Sequence, residues 1–171
     1  MDAELVHDLC VATLSGDEET VRHLLAHDPR LAAAQYERGT CALHRAVTSH
    51  EGIARLLLAA CPAAVAAVDR AGSTPLHEAA RLGSASMVQL LLAAGALPDA
   101  VDEYGLTPLS CAAVHSKPAN VRVLIAGAPA LAVAIDKHGY TPLHWAAAYL
   151  AVEPALLLLE AAPGTAWVQD R

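Results

Sequence analysis

The residues that decide the fold are 69–101, which read DRAGSTPLHEAARLGSASMVQLLLAAGALPDAV. The tetrapeptide TPLH within this stretch recurs in similar form along the chain. Its copies are Thr74–His77, Thr107–Ser110 (TPLS) and Thr141–His144 (TPLH), with a weaker copy, CALH, at Cys41–His44. Three strong copies and one weak copy indicate an internally repeated protein.

The acidic residue that opens each unit gives the length of the repeat. Asp69 and Asp102 are 33 residues apart, and Asp102 and Asp136 are 34 residues apart. A repeat of this length is typical of stacked supersecondary units, each of which buries its apolar face on the next.

The start of each unit has the chemistry of a turn followed by a helix cap. Asp69 can accept hydrogen bonds from its own backbone, and Gly72 can supply a positive φ. Thr74 is expected to be an N-cap, and Pro75 the first helical residue, where a missing N–H costs nothing.

Two short helices are predicted to follow the turn. The first runs over Pro75–Leu82, and Gly83 is expected to end it in the left-handed conformation. The second runs over about Ala85–Ala94, and Gly95 stops it. Helices of about ten residues are not stable alone in water, so both must pack on neighbouring units.

Helices are predicted at similar places in the other units. The predicted ranges are Leu5–Leu14, Thr20–His27, Ala42–Ser49 and Gly52–Ala60, with Pro118 and Pro154 in the first turn of two later helices. Proline is tolerated there because the first N–H groups of a helix have no intrahelical acceptor.

At these residues the sequence resembles the ankyrin repeat, whose signature T-P-L-H-x-A and two-helix hairpin match closely. The resemblance implies an all-α solenoid of stacked helix–turn–helix units joined by β-turn or hairpin loops. It covers residues 1–171 as a single domain, with a degenerate first repeat and a sixth that begins at the last residues. The repeats lie approximately at 1–35, 36–68, 69–101, 102–135 and 136–169.

Composition excludes several classes of protein. Apolar residues make up 55% of the chain and charged residues 17%, which argues against disorder. Turn residues interrupt every apolar run, so no membrane span is expected, and the acidic N-terminal sequence lacks the basic region of a signal peptide. A net charge of -7 without a Lys/Arg run argues against binding to nucleic acid.

The four cysteines, Cys10, Cys41, Cys61 and Cys111, have no C-x-x-C spacing. Cys10, Cys41 and Cys111 fall on predicted helices. We expect free thiols and an intracellular protein, cytoplasmic in location with the nucleus as an alternative. A zinc site or a disulfide framework is the other interpretation, but no spacing supports it.

Histidines are the residues that most invite a catalytic or metal-binding interpretation. His23 and His27 have the i, i+4 spacing of a metal pair, but no third ligand is evident, so we expect them to face solvent. His44, His77 and His144 are one repeat apart and cannot converge on one point. The ankyrin resemblance implies that they bind neighbouring turns. No enzyme, metal or cofactor is predicted.

The resemblance also predicts a partner-binding face. In an ankyrin stack, positions beside the turn glycine and after the first helix's Ala-Ala face the concave groove. The predicted binding residues are Arg70, Ser73, Arg81, Leu82, Glu103, Tyr104, Leu106, His115, Lys137, His138, Tyr140 and Tyr149, with Ala71, Val114 and Ala148 among them.

Aromatic residues favour this face as an interface. Tyr104, Tyr140 and Tyr149 are three of only four tyrosines in the chain, and tyrosine is enriched at binding hot spots. The alternative is that tyrosines on turns are ordinary surface. Trp145, which lies inside the first helix of the fifth repeat, is expected to pack between helices.

The sequence therefore predicts a non-catalytic module that binds a partner protein through its turn tips and concave face. Two alternatives remain open. One is a regulatory or targeting segment of a larger enzyme, such as a ligase adaptor, kinase or acyltransferase. The other is a self-associating scaffold.

The C-terminal end favours contact with something beyond the fifth repeat. The segment 168–171 is in phase with residues 67–70, and the run Leu156–Leu159 covers more than one face of the last helix. Packing on the preceding repeat cannot hide all four leucines. We expect further repeats, or stacking on a partner or on a second copy.

Overall fold

The computed structural model describes residues 3–162, which form ten α-helices in five consecutive pairs. The pairs are α1 (Ala3–Ser15) and α2 (Glu18–His27), α3 (Ala42–Ala46) and α4 (Glu51–Ala60), α5 (Pro75–Leu82) and α6 (Ala85–Ala93), α7 (Pro108–Val114) and α8 (Pro118–Gly127), and α9 (Pro142–Ala148) and α10 (Val152–Ala161). Each pair lies within one predicted repeat, and the predicted all-α class is confirmed. The predicted segment 168–171 lies outside the described residues.

Small residues at one position of the first helices let the repeats approach closely. Ala46, Ala79, Ala112 and Ala146 are separated by one repeat each and are fully buried. The first helices pack side by side, α5 on α7 and α7 on α9, and form an inner layer. The absence of a bulky side chain at this position is what permits the short helix-to-helix spacing.

The second helices form the outer layer and supply the larger apolar side chains. Leu57, Leu91, Leu124 and Leu158 occupy equivalent positions and are also fully buried. Burying one such leucine contributes roughly 2 kcal/mol. Each of these leucines packs against neighbouring repeats, so a single hydrophobic core runs along the stack.

The turns that open the repeats form as predicted. Asp69 Oδ1 accepts hydrogen bonds from the backbone N–H groups of Ala71 and Ser73, both at 2.9 Å, and Gly72 has a φ of 71°. Neighbouring turns are joined directly, since the Arg70 N–H donates to the Arg38 carbonyl at 2.9 Å. The Glu103 N–H donates to the Ala71 carbonyl at 2.7 Å in the same way.

The prediction for Gly83 is wrong. Its φ is −75° and its backbone is extended, so a left-handed conformation is not why glycine stands there. A Cβ at this position would lie 2.6 Å from the Val47 carbonyl oxygen and 2.8 Å from that of Ala79. Glycine is required for space between two repeats.

Two other local predictions also need correction. The helix predicted at Ala42–Ser49 ends at Ala46, and residues 47–49 form a turn. Cys41 is the N-cap of α3 and does not lie inside the helix.

Three of the four inter-repeat linkers contain a proline-initiated 3-10 helix that the sequence did not predict. These helices span Pro29–Ala33, Pro62–Ala66 and Pro129–Val133. The linker after α6 instead turns at Gly95, whose φ is 90°; this glycine follows the end of the helix, as predicted. No helix among residues 3–162 is both long enough and apolar enough to cross a bilayer.

A row of β-branched residues precedes the turns and stays in solvent. Val68, Val101 and Ile135 occupy the same position in successive repeats and are 47%, 57% and 64% exposed.

The leucine run of α10 is only partly hidden. Leu158 is buried, whereas Leu156 is 55% exposed, as its position on a second helix face predicts.

A buried asparagine joins the third and fourth repeats and was not noticed in the sequence. Asn120, near the start of α8, donates from Nδ2 to the carbonyls of Ala79, Ala80 and Gly83 at 3.0–3.2 Å. These carbonyls lie at the C-terminal end of α5, where the helix supplies few donors; the Ala79 carbonyl also accepts the Gly83 N–H at 2.9 Å. The side chain thus caps one repeat from the next.

Candidate functional site

Two of the three in-register histidines, His44 and His77, join neighbouring repeats as expected, whereas the hydrogen bonds of His144 within residues 3–162 are to Thr141 of its own repeat. His77 Nδ1 accepts the Thr74 N–H at 3.1 Å, so Nε2 carries the proton and donates to the Leu106 carbonyl at 3.0 Å. His44 makes the same pair of contacts, to the Cys41 N–H and to the Ser73 carbonyl. Both ring nitrogens of His44 and His77 are therefore engaged in structural hydrogen bonds. The paired residues His23 and His27 are both exposed on α2.

Cys41 and His44 form the one close thiol–imidazole pair within residues 3–162, with 3.1 Å between Sγ and Nδ1. Burial raises the pKa of the Cys41 thiol, but hydrogen bonding and charge from His44 outweigh it and lower the pKa overall. The thiol is fully buried and takes the place that a threonine hydroxyl has in other repeats. No substrate can reach it.

The other buried thiols are in apolar surroundings. Burial raises the pKa of Cys10 to about 11 and that of Cys111 to about 12. Thiols that ionise so reluctantly are poor nucleophiles. All four cysteines are free.

The predicted partner-binding residues all lie at or near the surface. Eight are exposed, and the other four, at positions 73, 81, 106 and 140, are half-buried. The exposed residues are Arg70, Leu82, Glu103, Tyr104, His115, Lys137, His138 and Tyr149. The backbone carbonyls of Ser73 and Leu106 accept the histidine hydrogen bonds, so these two residues serve the stack as well as the surface.

An aromatic cluster forms on the inner face of the fifth repeat. The ring centroids of Tyr140 and Trp145 are 5.6 Å apart in an edge-on arrangement, and those of Trp145 and Tyr149 are 6.3 Å apart. Tyr140, His144, Trp145 and Ala148 line a cavity of about 380 Å³. Large, rigid and partly solvated rings of this kind are typical of binding hot spots.

Trp145 differs from its prediction. It is half-buried and lines the cavity, and it does not lie wholly between helices. Its indole N–H donates to Asp136 Oδ2 at 2.9 Å, which fixes the ring beside the turn. The Asp136 carboxylate that shapes the turn therefore also orients the largest side chain of the cluster.

Tyr104 and Lys137 meet at the tips of the fourth and fifth repeats. The Lys137 ammonium lies 5.5 Å from the Tyr104 ring centroid, within the range of a cation–π contact. The same ammonium donates to the Glu103 carbonyl. Two predicted tip residues are thus brought together across a repeat boundary.

A second cavity, of about 390 Å³, lies on the inner face of the first three repeats. Its lining includes Arg81 and Leu82, which were predicted, and Arg38, Arg45 and Leu14, which were not. Arg38 and Arg45 belong to the repeat with the weakest signature. Counting one repeat back from Ala71, a predicted position, would have found Arg38, whereas Arg45 corresponds to Glu78, which is not among the predicted residues.

The family profile described as "Ankyrin repeats (3 copies)" matches residues 9–102 and again residues 95–167. No curated protein matches the chain closely enough to count as a relative. Together the two matched stretches cover most of the sequence, and they coincide with the stacked helix pairs and their turns. The chain belongs to the ankyrin-repeat family.

Proposed function

We propose that this protein is a non-catalytic binding module that holds a partner protein on its turn tips and concave face. Ankyrin repeats are generally protein–protein interaction modules. The observation that carries the proposal is the aromatic cluster of Tyr140, Trp145 and Tyr149 beside an open cavity. A contiguous patch of partly exposed aromatic rings is typical of an interaction site.

The rest of the predicted face surrounds this cluster with polar groups. Tyr104, Glu103 and Lys137 extend it along the tips, and His138 adds a ring 6.5 Å from that of Tyr140. An apolar centre with a polar rim is the usual anatomy of an interface. The free thiols support an intracellular location for the complex.

The test is the affinity of tyrosine variants for a partner captured by the wild-type chain and then purified. Tyr104→Ala, Tyr140→Ala and Tyr149→Ala should each weaken binding by about 1–3 kcal/mol in calorimetric titration, with helicity unchanged. Val133→Ala is the control, since this exposed residue lies in a linker away from the face. Wild-type affinity in all three tyrosine variants would place the site elsewhere.

Self-association at the fifth repeat is a second candidate function. Leu150, Val152 and Leu156 are 85%, 69% and 55% exposed, so this repeat presents a large apolar surface. Such a surface could pack on a second copy. Light scattering should then show a mass that rises with concentration, and Leu156→Glu should suppress the rise. A monomer at high concentration would exclude it.

A further inference from the structure

We propose that the cavity on the inner face of the first three repeats receives an acidic side chain from a peptide segment of the partner. Its carboxylate would be bound by Arg38 and Arg45, and an adjacent apolar side chain would lie on Leu14 and Leu82. The inference rests on the proposed protein-binding function and names the chemistry of the segment that is bound.

The charge of these arginines is not balanced within the described chain. Arginines on the outer helices have carboxylate partners: Arg55 contacts Glu51 at 2.7 Å, and Arg22 contacts Glu18 at 3.7 Å. Within residues 3–162, neither Arg38 nor Arg45 has a carboxylate within ion-pair distance. The protein as a whole carries a charge of -7, so two unpaired cations in one cavity are unusual.

The carboxylates that line the cavity are already engaged. Asp69 Oδ1 accepts two backbone N–H groups of its own turn. Glu78 Oε2 accepts from Arg81 at 2.6 Å. An incoming carboxylate therefore finds two guanidinium groups with free donors, and the Glu78 carboxylate already has a cationic partner in Arg81.

The apolar part of the cavity selects for a peptide over a free anion. Leu14 is 58% exposed and Leu82 is 44% exposed, and both line the cavity with the arginines. A small anion would leave these side chains in water. A peptide that carries an acidic residue beside an apolar one would cover both, which adds hydrophobic burial to the charge-assisted hydrogen bonds.

The backbone at Arg38 decides which replacement suits a test of its side chain. Its φ is 57°, in the left-handed region where arginine is uncommon and asparagine is well tolerated. Asparagine therefore removes the charge without adding backbone strain.

The experiment uses a phage-displayed library of random dodecapeptides selected on the full chain. Acidic residues next to apolar ones should be enriched among the peptides that bind. Synthetic versions should lose about tenfold in affinity for Arg38→Asn and for Arg45→Gln, and also when the acidic residue is changed to its amide. Arg22→Gln removes the same charge from an exposed site on an outer helix and should leave affinity unchanged.

Arg38→Asn keeps the test valid if Arg45→Gln fails to fold, because asparagine suits the left-handed backbone. Selected peptides without acidic enrichment, or with equal affinity for the arginine variants, would overturn this inference and leave the protein-binding function standing. A library that gives no binder at all would count against both. Raising the salt concentration should weaken the acidic peptides and serves as an independent readout.

Discussion

The interface between the third and fourth repeats and that between the fourth and fifth differ in their polar contacts. In the first, His77 and Asn120 each bind backbone carbonyls of the neighbouring repeat. In the second, Ser110 and Pro154 stand at the equivalent positions. The Ser110 side chain contacts the threonine of its own repeat, and polar contacts across this boundary include the Lys137 ammonium on the Glu103 carbonyl and the exposed ion pair of Arg122 with Glu153.

The two interfaces nonetheless have the same helix packing, with α5 on α7 and α7 on α9. The packing of the first helices therefore does not depend on a buried histidine or asparagine at the boundary, and these buried polar contacts strengthen individual boundaries. A buried carbonyl that loses its donor costs more than an average hydrogen bond contributes. The difference predicts where substitutions will be severe and where they will be mild.

The largest effect is expected for His77→Ala. It removes the acceptor of the Thr74 N–H and one of the two donors to the Leu106 carbonyl, which keeps the Asp102 N–H, and should lower the free energy of unfolding by about 3 kcal/mol. Ser110→Ala at the equivalent position should cost about 0.5 kcal/mol. Urea denaturation measures both. Equal losses would mean that the histidine is no more important than the serine.

The next largest effect is expected for Asn120→Leu, which keeps the volume of the side chain and removes its donors. The carbonyls of Ala80 and Gly83 lose their donor, and that of Ala79 keeps only the Gly83 N–H, so we expect the free energy of unfolding to fall by about 2 kcal/mol. Pro154→Ala, one repeat later, should cost about 0.5 kcal/mol. If Asn120→Leu were as stable as wild type, apolar packing alone would account for the stability of the interface between the third and fourth repeats.

A stabilising change is expected in the fifth repeat. Leu150 has a φ of 55°, a conformation that favours glycine, and its side chain is 85% exposed. Leu150→Gly should raise the free energy of unfolding by about 1 kcal/mol. It removes the backbone strain, and almost no buried apolar surface is lost because the leucine side chain is already exposed. Leu156→Ala, which removes an exposed leucine from helical backbone, should give no such gain. Thermal unfolding distinguishes the two.

The smallest effect concerns pH. Burial lowers the pKa of His77 in the folded state below its ordinary value of 6.5. Below that pH the unfolded chain binds the proton more readily, so stability is complete above pH 6.5 and falls as the pH drops below it. Urea midpoints between about pH 7 and about pH 5 should fall more for wild type than for His77→Ala. Parallel slopes would assign the pH dependence to other groups.

Much of the fold could be predicted because each repeat carries its own signals. Asp69, Gly72 and Thr74 act within a few residues of themselves, so turn and cap chemistry can be read locally. Gly83 and Asn120 act across a repeat boundary. The clash with the Val47 carbonyl and the contacts to the end of α5 exist only after stacking, so no local pattern indicates them.

The predicted binding face was limited in the same way. Tyr140 and Tyr149 were found from the family register, but Trp145 was expected to pack inside because it lies within a helix. Its hydrogen bond to Asp136 orients it toward the groove, and that contact depends on the geometry of the turn. Arg38 was missed because its repeat lacks the leading aspartate that marks the turn in the others.

The row of Val68, Val101 and Ile135 affects the solubility of this protein and its tendency to self-associate. These side chains give each repeat an apolar spot in water, and repetition aligns the spots along one edge of the stack. Like charge keeps such molecules apart at neutral pH, and that protection disappears near the isoelectric point of about 5.6. Crystallisation or precipitation should therefore be easiest in mildly acidic buffer, with added salt acting through the exposed aliphatic edge.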